Sequence, residues 1–280
     1  MSATSIAWTD VSWNPVTGCS KVSEGCRHCY AEAVAKRWWG DPKWIDAEGV
    51  RMGRAFTEVQ CHEDRLDRPL HWRKPKRVFV NSMSDLFHKD VPESFIVEVF
   101  DVIGRAPQHT FQVLTKRAVR MQQILSNWSA NGATFNGMRW PLPNVWLGVS
   151  VEDQRAADER IPILLDTPAA VRWLSCEPLL GPIDLSRWCL DRRQAVRRLV
   201  NGPAMLNRDQ ADASVGPSCD WVVGGGESGP GHRHMDIAWA RDLREQCRVA
   251  GVPFFFKQTS GPRPGMGTDA LGEVVQEFPA

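Results

Sequence analysis

Six stretches of the chain are apolar nearly throughout for four to six residues and then turn polar: RVFVNSMSD (77–85), HTFQVLTKR (109–117), NVWLGVSVED (144–153), AVRWLSCEPLL (170–180), DWVVGGGESG (220–229) and VPFFFKQ (252–258). A first strand is expected before them in IAWTDVSWNP (6–15), which makes seven. Continuous apolar runs, rather than alternating ones, predict strands covered on both faces, as in a parallel sheet. Four of the runs are followed by segments with apolar residues at helical spacing: PESFIVEVFDVIGRA, AVRMQQILSNW, QRAADERIPILLDT and DIAWARDLREQCRVAG. Strand and helix in alternation predict βαβ units.

The residues at the strands' C-terminal ends sharpen this to a complete or partial β/α barrel of the TIM type, with mainly parallel strands. In order these ends carry a cysteine loop, then Asn81, Ser82, Ser84 and Asp85, then Thr115 and Lys116, then Ser150 and Glu152. Glu177 follows, then Gly224, Gly225, Gly226, Glu227 and Ser228, and finally Lys257 and Gln258. A barrel gathers all such ends on the one face where its loops build active sites, whereas a doubly wound sheet divides them about a switch point. We expect one domain over 1–280, interrupted by excursions near 38–76, 127–143 (read as a loop) and 184–219.

Composition changes this little. Apolar content of 42% and charged content of 24% are those of an ordinary globular chain. No apolar run of membrane-spanning length occurs and the N-terminus has no secretory pattern, so the expectation is a cytoplasmic protein with no membrane partner. The net charge of +1 excludes a uniformly basic surface, but 65–77 holds six Arg/Lys against one Asp and 187–198 five Arg against one Asp. Either could contact phosphate or be a solvated face. Trp38, Trp39, Trp44 and Trp72 lie among basic residues, where they could stack on bases or pack.

The candidate chemistry begins with cysteine. Five of the eight, Cys61, Cys176, Cys189, Cys219 and Cys247, are scattered and read as small core residues. Cys19, Cys26 and Cys29 instead form Cys-x6-Cys-x2-Cys, a density that in a reducing compartment points to a metal or to redox chemistry. A structural zinc takes four ligands; here a fourth would have to come from elsewhere, such as Cys61 or His62. An iron–sulfur cluster on three thiolates, with one iron open, accounts for the number directly.

Two resemblances follow from these residues. GC-x6-C-x2-CYAEA, after a first strand and opening a helix, resembles the cluster loop of the radical S-adenosylmethionine (SAM) superfamily, whose usual spacing is Cys-x3-Cys-x2-Cys. WNPVTGC, FVNSMSDLFHKDVP, QHTFQVLTKR, PNVWLGVSVEDQ, RWLSCEPLLGPIDL, WVVGGGESGPG and GVPFFFKQ resemble a phage and prophage family of unknown function related to that superfamily and linked to DNA base modification. The resemblance implies a radical-SAM-like barrel and a 4Fe–4S cluster on Cys19, Cys26 and Cys29. It also implies reductive cleavage of SAM to methionine and a 5′-deoxyadenosyl radical. The substrate it implies is a (hyper)modified nucleobase in phage DNA, and the electron donor a flavodoxin or ferredoxin.

On that resemblance SAM binds among Asn81, Ser82, Ser84, Asp85, Lys116, Ser150, Glu152, Glu177, Gly224, Gly225, Gly226 and Glu227. Lys116, Glu177 and Lys257 are the candidate catalytic residues. The residues keep alternatives open: the glycines could serve only a tight turn, and each acid or lysine could be half of a structural ion pair. His232 and His234 read as a surface loop, and His88 sits just past the second strand. A zinc-stabilised binding protein for nucleic acid or a partner, without catalysis, is the alternative function.

Overall fold

In a computed structural model of the chain, residues 4, 6–40, 53–190 and 218–279 are described. Trp44, most of the 187–198 basic run and most of the 184–219 excursion lie outside them. The chain packs as two compact units, Met1–Trp146 and Leu147–Ala280.

In the first unit, β1 (Val11–Trp13) leads through β2 (Val16–Thr17) into the cysteine loop and α1 (Tyr30–Trp38). After β3 (Gln60–Cys61) come β4 (Arg77–Val80), α2 (Glu93–Arg105), β5 (Thr110–Thr115) and α3 (Ala118–Ala130). β1 pairs with β4 and β4 with β5, both parallel. The helices bury residues at helical spacing, Ile96, Val99, Phe100 and Ile103 on α2 and Met121, Leu125 and Trp128 on α3.

The 127–143 stretch is not the plain loop expected. Its first residues continue α3, and β6 (Thr134–Phe135) and β7 (Met138–Arg139) form a hairpin. The reason is local and tertiary together. Asn136 and Gly137 take φ of 49° and 77°, the two positive values a tight hairpin turn needs. Trp128, Phe135 and Trp140 then close on Phe100, with ring centroids 5.0, 6.0 and 5.3 Å away.

β8 (Val145–Ser150) carries the chain onward. The second unit holds α4 (Gln154–Asp166), β9 (Val171–Cys176), β10 (Trp221–Gly224), α5 (Ile237–Ala250) and β11 (Phe254–Phe256). β9, β10 and β11 run parallel, with Trp173 opposite Trp221 and Gly224 opposite Phe256. Asp153 and Asp236 cap α4 and α5 by accepting from Ala156 N–H and Ala238 N–H. Gly251, in the left-handed region at φ 67°, ends α5.

The long strands make one seven-stranded sheet in the order β1-β4-β5-β8-β9-β10-β11. This order follows the chain without reversal, the connectivity of a β/α barrel and not of a doubly wound sheet. β1 and β11 end the row, so the described strands form the partial version of the expected barrel. All seven predicted strands and all four predicted helices are present. Among the described residues no helix is long and apolar enough to cross a membrane.

Candidate functional site

The cysteine loop is fastened before its first cysteine. At the end of β4, Asn81 adopts φ 63° and its side-chain Oδ1 accepts from Val16 N–H at 3.2 Å. Ser84 Oγ donates to Val16 O at 2.8 Å and Gly18 N–H donates to Met83 O at 3.0 Å. Asn14 Oδ1 accepts from Met83 N–H, and Tyr30 OH donates to Ser82 O at 2.5 Å. Asn81, Ser82 and Ser84 therefore meet the loop itself.

Gly18 is required where it stands. Its φ is +92°, and a Cβ there would lie 2.3 Å from Glu58 O. Cys19 N–H then donates to Phe56 O at 2.8 Å.

Cys26 ends a short 3₁₀ turn (Glu24–Cys26), and Cys29 stands at the N-cap of α1. All three cysteines are half-buried. Burial, and after it the Asp85 carboxylate, pushes the Cys19 thiol up to about 11 against the pull of Arg117. Burial also raises Cys29, opposed by the N–H groups of Glu32 and Ala31 in the first turn of α1.

A residue the sequence reading passed over organises this loop. Arg117, next to Lys116, spans from the end of β5 to Cys19. Its Nη1 is 2.9 Å from Asp85 Oδ2 and 3.6 Å from Cys19 Sγ; its Nη2 donates to Ser20 O at 2.9 Å and Ser20 Oγ at 3.0 Å. Asp85 also accepts from Thr115 Oγ1, Lys116 N–H and Phe87 N–H. Its carboxylate is thus engaged by its own chain. His88, just past β4, is buried, with Nε2 2.7 Å from Ser20 Oγ. The signal for Arg117 was present in "TKR", but sequence does not say which of two adjacent cations turns inward.

Cys61 and His62 do not join the cysteines. Cys61 lies opposite Val16 in the β2–β3 pair, and the charge that raises it, after burial, is Glu98. His62 Nε2 is 2.7 Å from Thr17 Oγ1. Among the described residues, no three or more His, Cys, Asp or Glu are gathered as ligands of one ion.

The second unit carries its own row of polar strand ends. Glu152, after β8, is buried and its Oε2 lies 3.0 Å from Arg160 Nη1, which also donates to Ser150 O. Glu177, after β9, meets Lys257 Nζ at 3.1 Å. Glu227 is held on both carboxylate oxygens by Arg233, at 2.6 and 3.0 Å. Arg160 and Arg233, like Arg117, were not singled out from sequence, because each reaches its acid from a helix or a loop.

The glycines receive the chain itself. A Cβ on Gly226 would stand 2.3 Å from Ser260 N, and one on Gly225 would meet Glu177 Oε1 and Lys257 Cβ. Gly226 N–H donates to Gln258 O, and Gln258 Nε2 donates back to Gly226 O.

Among the scattered cysteines, Cys176, Cys189, Cys219 and Cys247 are buried core residues as expected, with Cys189 close enough to raise Cys219, and Cys61 is half-buried. Of the tryptophans, Trp39 lies under Arg54 and beside Phe56, and Trp72 packs on His109. Trp38 is 70% exposed, with Arg37 over its ring. His232 Nδ1 donates within its own loop to Gly229 O at 3.0 Å, and His234 is exposed.

Residues 3–274 match the family model described as "Protein of unknown function (DUF5131)". The chain belongs to this family. No curated protein and no solved structure matches the DUF5131 chain. Its site is therefore read from its own residues, which fall in two groups. Cys19, Cys26, Cys29, Asn81, Ser82, Ser84, Asp85 and Lys116 belong to the first unit, and Ser150, Glu152, Glu177, Gly224, Gly225, Gly226, Glu227 and Lys257 to the second.

Cys19, Cys26 and Cys29 are the residues that could hold an iron–sulfur cluster. Three half-buried thiols stand on one short loop, a guanidinium lies beside one of them, and helix N–H groups face another. A cubane gives each thiolate its own iron, so the three need not converge on a point as they would around one zinc.

Proposed function

We propose that this protein is a radical SAM enzyme holding a 4Fe–4S cluster on Cys19, Cys26 and Cys29. The observation that carries the reading is the loop itself: three half-buried cysteines between the C-terminal end of β1 and the first turn of α1. The cluster, when bound, supplies the electron that cleaves SAM to methionine and a 5′-deoxyadenosyl radical.

The chain's own residues bind and orient. Arg117 holds Cys19, and Gly18 gives the loop its turn. Glu177, after β9, and Lys257, after β11, pair with each other across the end of β10. Asp85, Glu152 and Glu227 serve as anchors for Arg117, Arg160 and Arg233. The exposed ring of Trp38, with Arg37 against it, suits a nucleobase substrate.

Anaerobic purification tests the reading. We expect a brown protein with about four irons and four sulfides per chain, which with a reductant converts SAM to 5′-deoxyadenosine. Cys26→Ala removes the cluster and Cys247→Ala keeps it. One tightly bound zinc with no SAM cleavage overturns the assignment. A single-stranded oligonucleotide that speeds SAM cleavage in the wild type but not in Trp38→Ala supports the nucleobase substrate.

A further inference from the structure

Arg117 stands at the N-cap of α3 and makes no side-chain cap there. That position favours Ser, Thr, Asp or Asn, and the partial positive charge of a helix N-terminus disfavours a cation. α3 therefore gives no reason for an arginine at this place.

The reason lies across the unit. Four contacts from one guanidinium reach Asp85, Cys19 and both the carbonyl and hydroxyl of Ser20, at 2.9, 3.6, 2.9 and 3.0 Å. Such a set needs the planar fork of arginine, because a lysine ammonium is a single point of charge on a flexible stem. Asp85 is itself fixed by Thr115 Oγ1 at 2.8 and 2.9 Å and by Lys116 N–H at 3.2 Å, so the carboxylate that holds the guanidinium is held in turn. Its side chain is 13% exposed and that of Asp85 8%, so solvent screens the pair little.

We propose that Arg117 is a positioning residue for the proposed cluster, placing Cys19 and setting the reduction potential through its N–H···S contact, with Asp85 as the opposing charge. The proposal rests on the iron–sulfur reading above. A cation and a hydrogen bond at a ligand sulfur stabilise the more negative, reduced cluster, and hydrogen bonds to the sulfurs are among the terms that set such potentials. Asp85, a carboxylate on the same guanidinium nitrogen that meets Cys19, acts in the other direction. Both effects follow from charge close to Cys19, and neither requires contact with SAM.

The test compares wild type, Arg117→Met, Arg117→Lys and Asp85→Asn as purified full-length holoprotein, with the cluster followed by electron paramagnetic resonance through a redox titration. The potential shifts negative in Arg117→Met and positive in Asp85→Asn, and Arg117→Lys recovers part of the loss. Opposite signs are the decisive result, since a purely structural role moves both variants alike. Unchanged potentials, or shifts of one sign, overturn the proposal. If Arg117→Met does not fold, the sign of the Asp85→Asn shift decides.

A second readout needs no cluster. In iron-free protein at fixed pH, iodoacetamide labelling of Cys19, resolved by peptide mapping, is several-fold slower in Arg117→Met and faster in Asp85→Asn. Wild type without a cluster but with these labelling changes defeats the iron–sulfur reading and leaves the Arg117–Cys19 coupling standing. Wild type with a cluster, and labelling and potential both unmoved by the variants, defeats the coupling alone.

Discussion

Arg160 Nη1 lies 3.0 Å from Glu152 Oε2 with both side chains almost wholly out of solvent, at 5% and 2% exposure. The pair ties α4 to the end of β8. Removing one partner strands a buried charge, which costs about 3–5 kcal/mol, whereas replacing both with apolar residues of similar size is much milder. Arg160→Met and Glu152→Leu should each lower the urea midpoint strongly, and the double variant should recover most of the loss. Additive losses in the double variant would show that the two side chains do not act as a pair.

The glycines after β10 give a steric prediction. Gly226→Ala places a methyl 2.3 Å from Ser260 N, a backbone atom that must move for it, while a Cβ at Gly231 meets nothing within 4 Å. Gly231 does carry φ 74°, so alanine there is strained by about 1–2 kcal/mol. We expect Gly226→Ala to lower the melting temperature further than Gly231→Ala and to increase amide exchange across 257–261. Equal effects would mean that the close approach is not what the glycine is for.

Buried thiols give an alkaline limit to stability. The Cys176 thiol is raised above the ordinary 9.0 chiefly by burial, and Cys219 is raised by its hydrogen bond with Cys189 and then by burial. The unfolded chain releases these protons from about pH 9 upward while the folded chain keeps them, so folding loses stability as pH rises beyond 9. The slope approaches about 1.4 kcal/mol per pH unit for each such thiol. Urea midpoints at pH 8 and pH 10 should differ, and Cys176→Ala should flatten the difference. Iodoacetamide at pH 8 should label Cys26 and spare Cys176 and Cys219.

An acid limit comes from His109. It is buried, its Nε2 lies 3.1 Å from Pro69 O, and Trp72 packs on its ring. Burial lowers its pKa below the ordinary 6.5, opposed by the carbonyls of Pro69 and Trp72. The unfolded histidine takes up a proton at a higher pH than the folded one, so this contribution to stability is present above 6.5 and is lost as pH falls through the folded value. His109→Gln should reduce the fall in stability between pH 7 and pH 5, measured by chemical denaturation at each pH.

The strands, helices and cysteine spacing were legible in the chain because their signals are local. An apolar run such as VWLGV or FFF sets its own strand, and a period of 3.6 in PESFIVEVFDVIGRA sets its own helix. The density of Cys19, Cys26 and Cys29 is likewise a matter of eleven residues. The 127–143 stretch was misread for the opposite reason. Its polar, glycine-containing composition is that of a loop, and only the packing of Phe135 and Trp140 on Phe100 shows that a hairpin is worth forming there.

What tertiary structure alone decided is which polar groups are already taken. Sequence put Asp85, Glu152 and Glu227 at strand ends, but whether an acid there is open or answered depends on a cation 32, 8 or 6 residues away. Arg117 reaches back 98 residues to Cys19, and Cys189 finds Cys219 across a stretch that carries no pattern linking them. Hydrophobic periodicity encodes the position of a segment, whereas ion pairs and thiol contacts depend on distances of a few ångströms between segments, which only the assembled fold sets.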